Sequence, residues 1–313
     1  MNETLFQAKF EQYRRLIGTG AFPKTFKGVV SRIIAISQDP GTSAKDLANI
    51  VSVDPAISTK VMTVVNSPFY GLSSEVCDLA QAISLLGFEE AKKIALSVSV
   101  FEGFKRSEVL ELLRIWKHCI CSGIFARIIA EHVGHFEAEA YTTGLLHDVG
   151  MILLYSVKPY AIRSVQSEYM FARGKASYLE VENKLLGIDH TWIGYCAACQ
   201  WNLPLFMREA IFSHHEPELP PSHASKTLAR IVHLADLVAD ASGHPSVLAP
   251  PNSSPENALS EITDDVLRPL QMDMDSFSRV LSTMETAGMT EARNFISTVE
   301  ASISPIRAYA LAH

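Results

Sequence analysis

Apolar and polar positions recur along most of this chain with the period of a helix, about 3.6 residues. Ile57, Val61, Val64 and Val65 fall on one face, and Asp54-Pro55 ahead of them offers an N-cap and a proline at the first helical position. Ser43-Ala-Lys-Asp46 has the capping-box pattern before "DLANIVSVD", and Ser177-Tyr-Leu-Glu180 repeats it. "NSPFYGL", Asn66 to Leu72, interrupts the pattern with Pro68 and Gly71. It is read mainly as a turn that packs Phe69 and Tyr70. Gly87 separates "DLAQAISLLG" from "FEEAKKIALSVSVFEGF" as a C-terminal cap. One long helix is predicted from about Val109 to His132, followed by helices over about 137–153, 160–172, 177–187, 190–201, 205–214 and 223–241. No alternating run is long enough to argue for a sheet, so the predicted class is all-α. "GHPSVLAPPNSSPEN", Gly243 to Asn257, reads as a connection. Beyond it, Phe277, Val280, Leu281 and Met284 recur at helical spacing and need a partner surface, so the last helices are expected to dock on the body.

The 313 residues fit one large or two closely packed domains, and a hydrophobic share of 48% is ample for a core. The net charge of -7 without a basic patch argues against nucleic acid or an anionic membrane as partner. The first residues lack the apolar stretch of a signal peptide, and no run is long enough to cross a bilayer, so a cytoplasmic location is expected. Five cysteines, an odd number, fit free thiols in a reducing compartment. Cys196-Ala-Ala-Cys199 is a single pair on an apolar helix, and packing explains it better than zinc or redox chemistry.

"GLLHDVGMILLY", Gly144 to Tyr155, sets His147 and Asp148 side by side among apolar residues. A buried carboxylate is costly unless it is paired or bound to a metal. His118, Asp189-His190, His214-His215 and Asp236 likewise fall in helices or at helix ends. Imidazoles and carboxylates suit Zn, Fe, Mn or Ni, and ligands from several helices can meet in a helical core. Helix-end histidines satisfied by hydrogen bonds are the competing reading, and residue types and spacing leave both open. His233, one turn before Asp236, is a supporting neighbour or a plain core hydrogen bond.

The order H…HD…H…HH…D resembles the ligand series of the HD superfamily of metal-dependent phosphohydrolases. "DPA…K…VNSPFYG" and "AISLLG" in the first half are similar to HDOD domains, a bacterial signalling offshoot of that superfamily. "WKH", "GLLHDVG", "LLGIDH", "HHEP" and "HLADLVA" continue the resemblance, which runs from residue 18 to 245. It implies an N-terminal helical lobe packed on an HD-like lobe. The divisions would be a lead-in helix over 1–17, lobes over 18–106 and 107–245, a connection over 246–257 and docked helices over 258–313. It also implies His118, His147, Asp148 and Asp236 as ligands of one divalent metal and His190, His214 and His215 as ligands of a second, with Asp148 bridging.

One position departs from the phosphodiesterase relatives. Their HD-x-G-K carries a lysine that assists at the phosphate, whereas "HDVGM" has Met151, which cannot neutralise phosphoryl charge. The Gly-Tyr-Pro signature of those relatives is also missing. The resemblance therefore implies a signalling regulator that works through protein contacts, with a metal site and little or no hydrolase activity. Its partners would be signalling proteins such as a response regulator or a cyclic-dinucleotide enzyme, and its ligand a phosphate-containing small molecule. The alternative is a dinuclear phosphohydrolase in which Asp148 and a metal-bound water act. In that case Lys92, Lys93 or Arg127 would replace the missing cation, and Met151→Lys would raise trace activity. With no receiver or output domain in the sequence, the signal is expected to arrive through another chain.

Overall fold

The computed structural model describes residues 3–17, 24–37, 39, 41–72, 76–102, 109–248 and 259–302. No strand forms among them. The first helices are α1 (Glu3–Ile17), α2 (Lys24–Ser37), α3 (Ala44–Val51), α4 (Pro55–Val65), α5 (Leu79–Leu86) and α6 (Phe88–Glu102). Helices α2 to α6 pack mainly on one another. Their starts follow the local chemistry. Ser43 accepts from Asp46 N in a closed capping box, and Asp54 accepts from Ile57 N at 3.2 Å. A short 3-10 turn, Pro68–Tyr70, ends on Gly71 at φ 58, a left-handed value that suits glycine.

Next come α7 (Val109–Val133), α8 (Glu137–Leu146), α9 (Val149–Val157), α10 (Pro159–Ala172), α11 (Tyr178–Leu186), α12 (His190–Gln200), α13 (Leu205–Ser213) and α14 (His223–Ala241). Helix α7 is buried nearly all round, as expected for a helix at the centre of a core. It runs against α8 and α14, while α12 lies on α9 and α13. Trp116 on α7 is fully buried and donates its indole N–H to Ser97 O on α6 at 3.1 Å, joining the two groups of helices. Then follow α15 (Asp264–Leu267), α16 (Met274–Thr283) and α17 (Met289–Ser302), the last two joined by a π-turn. Helix α17 contacts α4 and α7, and α16 contacts α7. One contiguous apolar core runs from Tyr13 through Trp116 to Val299. No helix of the described residues is long and apolar enough to cross a membrane.

Three expectations need correction or lie beyond the described residues. The helix predicted over 137–153 is two, α8 and α9, with His147 and Asp148 at the junction. Phe69 is 39% exposed rather than packed away, whereas Tyr70 is half-buried with its hydroxyl on Glu90 at 2.9 Å. The lobe boundary at 106/107 and residues 249–257 of the connection lie outside the described residues. Residues 244–248 are fixed: the Arg114 guanidinium donates to Pro245 O and Ser246 O, and Gln166 donates to Leu248 O at 2.9 Å.

Candidate metal centre

The break between α8 and α9 creates the site. On a continuous helix, adjacent residues point about 100° apart. Here α8 ends at Leu146 and Asp148 turns the chain at φ -95, ψ 15, so both His147 and Asp148 reach the same interior point. Helix α7 brings His118 there, the start of α12 brings His190, the end of α13 brings His214 and His215, and α14 brings Asp236. All seven residues singled out from the sequence come together. His118, His147, His214, Asp148 and His190 are at most 2% exposed and Asp236 is 7% exposed; His215 alone is exposed, so the cluster opens on its side.

Asp148 stands between two groups. Its Oδ2 lies 3.9 Å from His118 Nε2 and 3.6 Å from His147 Nε2. Its Oδ1 lies 3.4 Å from His190 Nε2 and 3.6 Å from His214 Nε2. Asp236 Oδ1 completes the first group, 2.9 Å from His118 Nε2 and 3.6 Å from His147 Nε2. In the second, Asp148, His190, His214 and His215 each offer a ligand atom, all within 4.8 Å of one another.

The opposite ring nitrogens are already committed. Nδ1 of His118 bonds His244 O, Nδ1 of His147 bonds Gly144 O and Nδ1 of His214 bonds Ile211 O, each at 2.7 Å. Nδ1 of His190 bonds Glu182 Oε2 at 2.6 Å. Carbonyl and carboxylate oxygens only accept, so each Nδ1 carries the proton and each Nε2 lone pair faces inward. Two such lone pairs cannot bond each other, yet His118 Nε2 and His147 Nε2 are 3.1 Å apart. A cation between them, proton or metal, resolves the contact. His214 Nε2 is buried without a hydrogen-bond partner. The donor set therefore fits a divalent metal, and Asp148 could touch two.

Without a metal, the surrounding carboxylates draw a proton to the inward nitrogens of His118 and His190 instead. Burial would depress His118, but the hydrogen bond and charge of Asp236, with Asp240 and Asp148, outweigh it and lift it to about 9. Burial likewise opposes the charge on His190, which Glu182 lifts to about 10. His214, with burial and the neighbouring imidazoles dominant, is pushed down. Burial works against ionised Asp148 and Asp236, yet the surrounding imidazoles hold both well below the usual carboxylate range.

Two neighbours, Glu182 and Asp240, were not read from the sequence. Glu182 is fully buried and also accepts from His190 N at 3.0 Å. Asp240, one turn beyond Asp236, approaches His118 Nδ1 at 3.3 Å, and burial beside Asp236 raises its carboxyl to about 7. His233 does not pair with Asp236; its Nδ1 bonds His214 O at 2.8 Å and so holds the end of α13. The cations considered as replacements for a lysine at position 151 are engaged elsewhere. Lys92 pairs with Glu89, Lys93 with Glu90 and Glu291, and Arg127 with Glu131 and Glu291. No metal-capable group among the described residues includes a cysteine.

Comparison with known proteins bears on the family and the fold. The sequence model of the HDOD domain matches residues 24–217. An uncharacterised protein of Treponema pallidum (strain Nichols) is 25% identical over 203 residues, which is 64% of this chain and 39% of that protein. The chain thus spans well under two thirds of that curated relative. The solved structure of a candidate signal transduction protein from Marinobacter aquaeolei VT8 superposes with a TM-score of 0.70 at 20% identity, covering 96% of this chain and 66% of that one. A candidate phosphohydrolase from Shewanella amazonensis SB2B gives 0.64 at 18% identity, covering 93% and 97%. At these identities the likeness is one of fold. Because the domain match takes in most of the 313 residues and the helical fold agrees, the chain belongs to the HDOD family.

Proposed function

We propose that this HDOD protein is a signalling regulator that acts through protein contacts. It would hold a divalent metal, Fe, Mn, Zn or Ni, in an HD-like lobe over residues 107–245, and hydrolyse phosphoesters little or not at all. The observation that carries the metal reading is Asp148 with its two oxygens divided between two groups of inward-facing imidazole Nε2 atoms. His118, His147, Asp148 and Asp236 would hold one ion; His190, His214, His215 and Asp148 would hold a second. Metal analysis of the purified protein after anaerobic loading with Mn or Fe tests it. A protein that stays free of transition metal refutes the centre and leaves a histidine–carboxylate cluster.

Glu182 would orient His190 from outside, as carboxylates do behind metal-bound histidines. Glu182→Gln keeps an acceptor but loses the charge. It is expected to weaken metal binding about 10- to 100-fold while leaving the helical content unchanged. Competition with a chelator, with circular dichroism alongside, checks this; unchanged affinity would mean His190 is not a ligand.

The regulatory reading draws on Met151. It is 1% exposed inside the apolar core, so no cation stands at this position and water does not reach it. The same burial changes the expectation for Met151→Lys. An ammonium there lacks solvent, so the substitution is expected to cost about 1–3 kcal/mol of stability and to leave turnover of a phosphodiester by the metal-loaded protein flat. Denaturant unfolding together with a chromogenic phosphodiester assay reads both. Faster turnover at undiminished stability would favour the second reading, a dinuclear phosphohydrolase. That reading has one observation of its own: the complete ligand set, open to solvent at His215. A bound metal pair would supply an acidified water and positive charge for a phosphate.

A further inference from the structure

The "NSPFYG" turn lies outside the metal centre, and it is pinned from both sides. The Asn66 amide donates to Val76 O and its carbonyl accepts from Val76 N, each at 2.8 Å, while the Tyr70 hydroxyl donates to Glu90. Phe69 sits edge-on to Tyr70, ring centroids 4.7 Å apart, yet stays 39% exposed. An aromatic ring held in water on a fixed turn is a ready anchor for a partner, because little freedom is lost when it is covered.

Phe69 also divides two grooves. One, about 1100 Å³, runs between α4 and α17 and is lined largely by uncharged polar side chains, among them Ser58, Thr63, Asn66, Asn294 and Thr298. The other, about 980 Å³, lies where α6, α7, α8 and α17 meet. Phe69 lines both, and α17 walls both, with Glu291 in the second and Asn294 and Thr298 in the first, all on one helical stripe. The second groove is charged. Glu89, Glu90, Glu131, Glu137 and Glu291 line it with Lys93 and Arg127, and Lys92 pairs with Glu89 from behind, so five carboxylates face three cations. The side chains of Glu89 and Glu131 are 63% and 45% exposed, and Glu137 is exposed too. Each groove also keeps one buried polar atom without a partner, Ser67 Oγ in the first and Arg127 Nε in the second. A hydroxyl and a guanidinium N–H are completed by the carbonyls of a peptide backbone.

We propose that the two grooves together take an extended segment of a partner protein that carries lysine or arginine. Its basic side chains meet the excess carboxylates of the second groove, an apolar side chain packs on Phe69, and its backbone bonds the hydroxyls and amides of the first. The proposal rests on reading the protein as a regulator that acts through contacts. Charge complementarity sets the sign of the partner. The run from a charged groove across Phe69 to an uncharged one fits a chain rather than a compact cation. A second copy of this protein, with its net charge of -7, fits less well. The bound segment would tie α6 to α7, α8 and α17, and so report on how these helices sit.

The test starts from a randomised peptide library displayed on phage and selected on the full-length protein. The tightest peptide is then titrated by fluorescence anisotropy. Selected peptides are expected to be enriched in lysine and arginine, and their binding to weaken as salt is raised. Phe69→Ala is expected to lose about tenfold or more in affinity. Glu131→Gln combined with Glu137→Gln is expected to lose about fivefold and to flatten the salt dependence. Phe171→Ser, on the exposed face of α10, is expected to bind as wild type does. Circular dichroism of each variant confirms the helical content. A selection without basic enrichment, or a peptide that binds Phe69→Ala as tightly as wild type, overturns the proposal. Spermidine that displaces the peptide at equal concentration overturns it in favour of a small cation. A wild-type dimer that Phe69→Ala dissociates overturns it in favour of a second copy. The phosphodiester assay described above reports on the regulatory reading by itself, so the two can fail separately.

Discussion

Asp148→Asn is expected to lose more bound metal than any variant of a single histidine. Each imidazole serves one group, whereas the carboxylate of Asp148 faces both, Oδ2 toward His118 and His147, Oδ1 toward His190 and His214. The amide is nearly the same size, so the helix junction can keep its shape while the charge and one acceptor oxygen are lost. The folded state should suffer as well. Four buried imidazoles at most 2% exposed surround this carboxylate, and removing one partner of a buried charge cluster typically costs about 3–5 kcal/mol. Metal analysis of Asp148→Asn, His118→Ala and His214→Ala, prepared side by side and each checked for cooperative unfolding, measures the ranking. If His214→Ala empties the protein as completely as Asp148→Asn, the two groups form a single site and the carboxylate does not bridge.

How much of this was legible in the sequence differs from element to element. The caps at Ser43, Asp54 and Ser177 and the stop at Gly87 are local chemistry, and the structure places each where the sequence does. The break at His147–Asp148 was not legible. Residues 140–156 are all buried, so no polar face marks a change of direction, and the junction is imposed by packing rather than by a cap. The candidate ligands could be singled out because a histidine or carboxylate inside an apolar run is conspicuous. Their supports were harder to see. Glu182 shares a helical stripe with Tyr178 and Val181, both buried, and a carboxylate in that stripe was the signal available for it. The roles of Arg114 and His244 depend on contacts between residues more than a hundred positions apart in the chain, which periodicity cannot reveal.

Gly150→Ala is expected to destabilise the fold and to disturb the centre, for a reason that has nothing to do with phosphate. Gly150 lies where α9 crosses α12. A Cβ built there would stand 1.9 Å from His190 O, 2.8 Å from His190 C and 2.9 Å from Gly194 N. These are backbone atoms at the start and middle of α12, not the end of a side chain that could swing aside. Two effects oppose each other. Alanine is the better helix former by about 1 kcal/mol. Forcing extra volume into a close-packed core costs typically 1–3 kcal/mol, and a clash with backbone belongs at or above the top of that range. The clash wins, so a net loss of about 2 kcal/mol or more is expected. The strain falls on the residue that matters for the site, because relief requires α12 to move away from α9, drawing His190 off the 3.4 Å contact with Asp148 Oδ1. Denaturant unfolding and metal analysis of the same preparation read both consequences. A variant as stable as wild type would show that α9 and α12 do not approach this closely. One that is destabilised yet keeps its full metal content would show that His190 does not depend on this crossing for its position.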